Sequence, residues 1–288
     1  MNRNLQIKIS KLSNLLFYVK NSKPSSPLSS DLQTFLSDNN IDVFFFEKNE
    51  SKIWAQIKKI VDKQHQNEIK RSIEILKPDF LLKWVKIEKN LKLWKKQLNN
   101  KKHLISEIFA KIKKLLGIEN FSIYQIPIYL IYSTYNDTSA WFSWTCENKF
   151  IVVEIPIEDN TTDELFSVGI LTHEIFHLAL RENKKIISLI NQFTEENESL
   201  LTKLSNGMPN RIFLEELLLS SFIPEGYLGE KYLNQKIPSS NDIKPKNMLM
   251  WRRSIASKMQ DTSKKYTDDN KQIDNDCIQK IIDLIKPT

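Results

Sequence analysis

The sequence predicts an α+β protein, and three observations carry that expectation. Apolar residues between Trp84 and Leu115 recur at alternating three- and four-residue spacing, the pattern of a long amphipathic helix. Between Phe121 and Ile157 the period drops to two, and the composition shifts to Ile, Val, Tyr and Trp, which favour strands. Beyond that stretch the spacing is helical again. With 288 residues, 41% of them hydrophobic and 27% charged, the chain is long and apolar enough for a sizeable core.

Residues 1–77 form an N-terminal region to which no chemistry is assigned. Leu5–Ile9 alternates like a short strand, Val43–Glu47 reads as another, and the Pro- and Ser-rich stretch 21–30 reads as a loop. The main domain is expected over 78–288. It opens with a long helix over 79–116, carrying Trp84, Ile87, Leu91, Trp94, Leu98, Ile105, Ile108, Ile112 and Leu115 on one stripe. Gly117 supplies a left-handed cap, and the run Asn99–Lys102 offers a point where the helix divides in two. A small, largely antiparallel sheet follows over 121–157, from strands at Phe121–Tyr132, Ser139–Cys146 and Lys149–Ile157 separated by short turns. Thr161-Thr-Asp-Glu164 is a capping box that opens a helix over 162–181. Further helices are expected over 186–204 and 210–223, with two more beyond Asn247.

Composition excludes several classes. The five glycines never fall in a phosphate-cradling spacing, so no nucleotide loop is present. Two cysteines, Cys146 and Cys277, make neither a disulfide framework nor a four-thiolate site and fit a reducing compartment. The opening residues are too polar for a secretory leader, and no apolar run reaches the roughly 18 residues of a membrane span. A cytoplasmic location without membrane contact is therefore expected. The net charge of +7 is concentrated between Lys77 and Lys114, where twelve lysines against Asp79, Glu88 and Glu107 give +9. The aromatic residues there lie in the apolar stripe rather than among the lysines, so a solvated helix face is favoured over a nucleic-acid surface.

The chemistry concentrates in Leu171-Thr-His-Glu-Ile-Phe-His-Leu-Ala-Leu180. His173 and His177 are one helical turn apart, so both imidazoles leave the same face and reach one metal ion at about 2.0–2.1 Å. Glu174 lies beside them as a proton acceptor for water. The other two histidines, His65 and His103, are far upstream, which directs the third ligand toward a carboxylate. Glu216 and Glu215, acids inside the apolar run Phe213–Phe222, are the candidates, with Glu216 preferred and Glu215 the alternative. Ser220, four residues after Glu216, is positioned to orient a ligand histidine. Glu195, Glu196 and Glu198 read as an exposed helix face.

The His173-Glu174-x-x-His177 helix, followed by the Glu216-x-x-x-Ser220 helix, resembles the zincin metallopeptidases, and among them the gluzincins. The resemblance covers roughly Phe121 to Gly229, and Ser220 stands where gluzincins commonly have aspartate. It implies a zinc-dependent peptidase that takes peptide or protein substrates, with Zn2+ on His173, His177 and Glu216 and Glu174 as general base and proton shuttle. It also implies a Tyr or His at the oxyanion, for which Tyr227 is the nearby candidate, and suggests the strand from Ser139 as an edge for an extended peptide. The rival expectations are a non-catalytic binding module, docking its basic helix on nucleic acid or an acidic partner, and a zincin fold without activity.

Overall fold

A computed structural model describes residues 5–21, 28–38, 46, 50–133, 137–144, 149–156, 164–236 and 245–286. In chain order it shows β1 (Gln6–Lys8), α1 (Lys11–Asn21), α2 (Ser30–Asp38), α3 (Glu50–Ile60), α4 (Lys63–Asn100) and α5 (Lys102–Leu116). The strands β2 (Pro127–Ser133), β3 (Ser139–Trp144) and β4 (Lys149–Pro156) follow. Then come α6 (Glu164–Leu180), α7 (Lys184–Glu196), α8 (Glu198–Leu204), α9 (Asn210–Ser220) and α10 (Tyr227–Leu233). The chain closes with α11 (Met248–Lys258), α12 (Gln260–Asp268) and α13 (Asn275–Ile285). It divides into two compact units, Met1–Asn99 with Tyr124–Thr162, and Asn100–Ile123 with Asp163–Thr288. The predicted α+β class holds: the molecule is mostly helical, with one small sheet. Among the described residues no helix is long and apolar enough to cross a membrane.

The first unit carries the sheet, in the order β1-β2-β4-β3. It is mixed rather than largely antiparallel. β1 and β4 both run parallel to β2, with Ile128 opposite Ile151 and Leu130 opposite Val153, and only β3 runs antiparallel to β4. Alternation in a sequence fixes the face a side chain takes, not the neighbour its strand selects. β2 and β4 are buried along nearly their whole length, as strands covered on both faces are, and they pair with each other, leaving the half-exposed β3 on the edge. Pro127 begins β2, a position where its missing N–H costs little, and Ile123–Gln125 is a short turn of helix instead of strand. Asn14, fully buried on α1, fastens that helix to β2 by accepting from Tyr132 N at 2.7 Å and donating to Leu130 O at 3.3 Å.

The long helix is displaced from its expected bounds. α4 begins at Lys63, passes through Pro78 and stops at Asn100, and α5 resumes after Lys101. A proline inside a helix costs about 3 kcal/mol. The buried stripe Ile69, Leu76, Phe80, Trp84, Ile87, Leu91, Trp94 and Leu98 continues across it, while Pro78 itself faces water. Burial of several large side chains at about 1.5–3 kcal/mol each outweighs that cost. Lys77, Lys86, Lys89, Lys92 and Lys96 are exposed, as expected of a solvated face.

The second unit is helical. α5 buries Ile105, Ile108, Ile112 and Leu115 and packs on α6, and Gly117 at φ 62° closes it as a left-handed cap, its N–H donating to Lys114 O. The helix expected over 186–204 breaks at Asn197 into α7 and α8, that over 210–223 ends at Ser220, and three helices follow Asn247 instead of two. Within the expected capping box, residues 161–163 lie outside the described residues. So do Cys146, Ile157 and all of the Val43–Glu47 strand except Phe46.

Candidate metal centre

α6 is apolar almost all round. Leu171, Ile175, Phe176, Leu178, Ala179 and Leu180 are buried, and from Ser167 onward the same holds for most of the helix. His173, Glu174 and His177 are therefore taken out of water with it, at 5%, 8% and 4% exposure. Buried polar groups at such positions need partners. For the two histidines they come from α9, packed against α6, and from the turn that follows α9.

The two imidazoles meet edge to face, with ring centroids 4.7 Å apart at 85°, and their Nε2 atoms stand 3.1 Å from each other. Glu216 brings its carboxylate to both, Oε2 at 3.3 Å from His173 Nε2 and Oε1 at 2.9 Å from His177 Nε2. The opposite ring edges are anchored. His173 Nδ1–H donates to Ile223 O at 3.0 Å and His177 Nδ1–H to Glu215 Oε1 at 2.7 Å. A carbonyl and a carboxylate only accept, so each ring carries a proton on Nδ1 and turns Nε2 toward the shared point. Three donors around zinc at 2.0–2.1 Å in a tetrahedron stand about 3.3 Å apart, which is close to the spacings seen. His173, His177 and Glu216 thus have the chemistry and the separation of a metal's ligand set.

Glu215 faces away from that point. It is 1% exposed, bonded to His177 on one side and held by the guanidinium of Arg181 through Nη1 at 2.8 Å and Nη2 at 2.7 Å. Ser220 orients neither ring: its hydroxyl is buried without a hydrogen-bond partner, and Ile223 O and Glu215 occupy the nitrogens it was expected to hold. A tight turn after α9 presents the Ile223 carbonyl. A Cβ on Gly229 would lie 1.7 Å from Pro224 O, so only glycine permits that close approach. Tyr227 donates to Asp268 at 3.0 Å in an exposed cluster with Lys231 and Lys264. Glu195, Glu196 and Glu198 are exposed.

Compared with models of known families, with curated proteins and with solved structures, the chain matches none.

The buried groups shift one another's proton affinity. Burial works against a charged His177, yet the hydrogen bonds it donates to Glu215 and Glu216 overcome it and hold the ring's pKa up at about 10. Burial likewise opposes ionisation of Glu216 and Glu215. The two imidazoles outweigh it at Glu216, and His177 with Arg181 outweigh it at Glu215, so both carboxyls lie below their ordinary range. Glu174 is pushed upward by burial, against the pull of His177 and His173. Two cations complete the surroundings. Arg211 lies 3.8 Å from Glu215, and Arg252 is 3.8 Å from Glu216 while gripping Glu225 at 3.0 Å.

Sequence reasoning missed Arg181, Arg252, Glu225 and the Ile223 carbonyl. Arg181 carried a signal, because 173, 177 and 181 share one helix face. The other three carried none, since they come from a turn and from a helix remote in sequence.

Proposed function

We propose that the chain is a zinc-dependent metallopeptidase of zincin-like, gluzincin type that hydrolyses peptide or protein substrates. The observation that supports it is the convergence of two Nε2 atoms and the Glu216 carboxylate on one point, with Glu174 next to the first histidine. His173, His177 and Glu216 would hold the ion. Zinc bound there supplies a Lewis acid for the substrate carbonyl and an acidified water as nucleophile. Glu174 takes the proton of the attacking water. Its burial raises proton affinity, which suits a group that must accept a proton and hand it on to the leaving amine. Glu215, locked by Arg181, and the Ile223 carbonyl keep the rings from rotating.

The test pairs metal content with turnover. Wild type and Glu174→Gln should each bind one zinc, while cleavage of a mixed peptide library falls by about 10²–10⁴-fold in the variant. Equal cleavage by two zinc-loaded proteins would reject the mechanism.

A further inference from the structure

The expected oxyanion group, Tyr227, is engaged elsewhere, and peptide hydrolysis still requires a donor for the oxygen that gains charge. Arg252, on α11, is placed beside the centre with donor capacity unspent. Its Nη2 is bonded to Glu225, at 3.0 Å from Oε1 and 3.1 Å from Oε2, which fixes the guanidinium plane. Its Nη1 is 3.8 Å from Glu216 Oε2, too far for a hydrogen bond, and its Nε is buried with no acceptor. Arg181 differs, since both of its terminal nitrogens are consumed by Glu215. The Arg252 side chain is about one-fifth exposed, open to a ligand yet largely desolvated. A desolvated, anchored guanidinium with a vacant N–H edge next to a metal-ligand carboxylate is a preorganised anion receptor.

The geometry points to Arg252 as the donor that stabilises the negative oxygen of the scissile carbonyl, an inference that rests on the peptidase reading above. Water oxygen bonds to the carbonyl carbon as the C=O π pair moves onto oxygen, and the water's proton passes to Glu174. The resulting oxyanion accepts from Arg252 Nη1–H. When the pair returns to re-form C=O, the C–N bond breaks and Glu174 protonates the departing nitrogen. Glu225 is a positioning residue here, holding the guanidinium for a charge that exists only part-way through the reaction.

The test uses cobalt(II)-substituted protein, whose visible bands report anion binding, with inorganic phosphate as a tetrahedral anion and acetate as a planar one. Arg252→Ala should bind cobalt within about threefold of wild type, yet bind phosphate at least tenfold more weakly, with Arg252→Lys between the two. On a cleaved peptide, kcat should fall about 10²–10³-fold with little change in KM. Unchanged phosphate affinity and kcat would overturn the assignment. So would a rise in KM alone, confined to peptides with a free terminal carboxylate and matched by weaker acetate binding, because Arg252 would then read substrate charge. Loss of cobalt from both Arg252 variants would make the residue part of the metal site. Failure of wild type to bind cobalt would reject the underlying metal reading instead.

Discussion

Glu215 and Glu216 are neighbours of identical chemistry, and exchanging either for glutamine separates their tasks. Glu216→Gln removes the negative charge that faces both Nε2 atoms at 2.9 and 3.3 Å. Zinc affinity should fall by more than the 10–100-fold typical of losing a partner behind a ligand. Glu215→Gln leaves the three converging atoms in place and weakens only the support of His177. Its zinc affinity should fall within that 10–100-fold range, equivalent to about 1.4–2.7 kcal/mol. Fold stability should respond in the opposite order. Arg181 places both terminal nitrogens on the Glu215 carboxylate, which is 1% exposed, so removing that charge strands a largely buried guanidinium. Breaking such a pair costs about 3–5 kcal/mol, and the 18% exposure of the Arg181 side chain places the loss at the lower end. Competition against a chromophoric chelator gives the first quantity, and urea denaturation of metal-free protein the second. If Glu215→Gln abolished zinc binding while Glu216→Gln kept it within threefold, the assignment of the two carboxylates would be reversed. If neither variant changed affinity, the metal centre itself would be refuted.

Protons should compete with the metal. In metal-free protein His177 is held at about 10, so zinc binding at pH 7.5 should release about one proton, seen as a binding enthalpy that varies with the buffer's ionisation heat; no variation would contradict the ligand role. The same raised value stabilises the metal-free fold fully below the ring's ordinary 6.5 and is lost as pH rises through about 10, so metal-free melting temperature should decline over that window. A flat profile from pH 7 to 10 would show that the His177 pairing contributes nothing. Cys277 is wholly buried and its thiol is pushed up to about 12 by that burial, so in folded protein at pH 8 it should stay unmodified by a thiol reagent and react only after unfolding, as peptide mapping would show.

What the sequence disclosed was whatever depends on local periodicity. The stripe from Trp84 to Leu98 and that from Ile105 to Leu115 are buried as their spacing demands, and Gly117 takes the left-handed cap its position requires. His173 and His177 share a face because four residues make one turn. Sheet order escaped the reading because β4 inserts between β2 and β3, a choice made by burial of both strand faces and not by alternation along either strand. The long helix is expected from residue 79, whereas α4 begins at Lys63, because buried residues on both sides of Pro78 outweigh the proline's local cost. Around the centre, Glu216 was preferred over Glu215 on helical-face grounds, and the structure puts Glu216 at both Nε2 atoms. Ser220 was favoured by spacing alone, yet the group that holds His173 is a main-chain carbonyl, which no side-chain pattern announces. Arg252 and Glu225 meet across 27 residues through a turn and a helix packing that no short-range pattern encodes.

Both imidazoles are clamped from behind by groups that have no need of an ion. The cluster is thus held in shape by its own chain, and a metal bound there, as proposed above, would cost little ordering entropy. A rigid opening of two nitrogens and one carboxylate also decides which ions it suits. Magnesium and calcium, which ask for six or more oxygens, are poorly served, and a small ion content with four mixed donors is preferred. On the metal reading proposed above, selectivity would accordingly be a property of how α6 and α9 are packed.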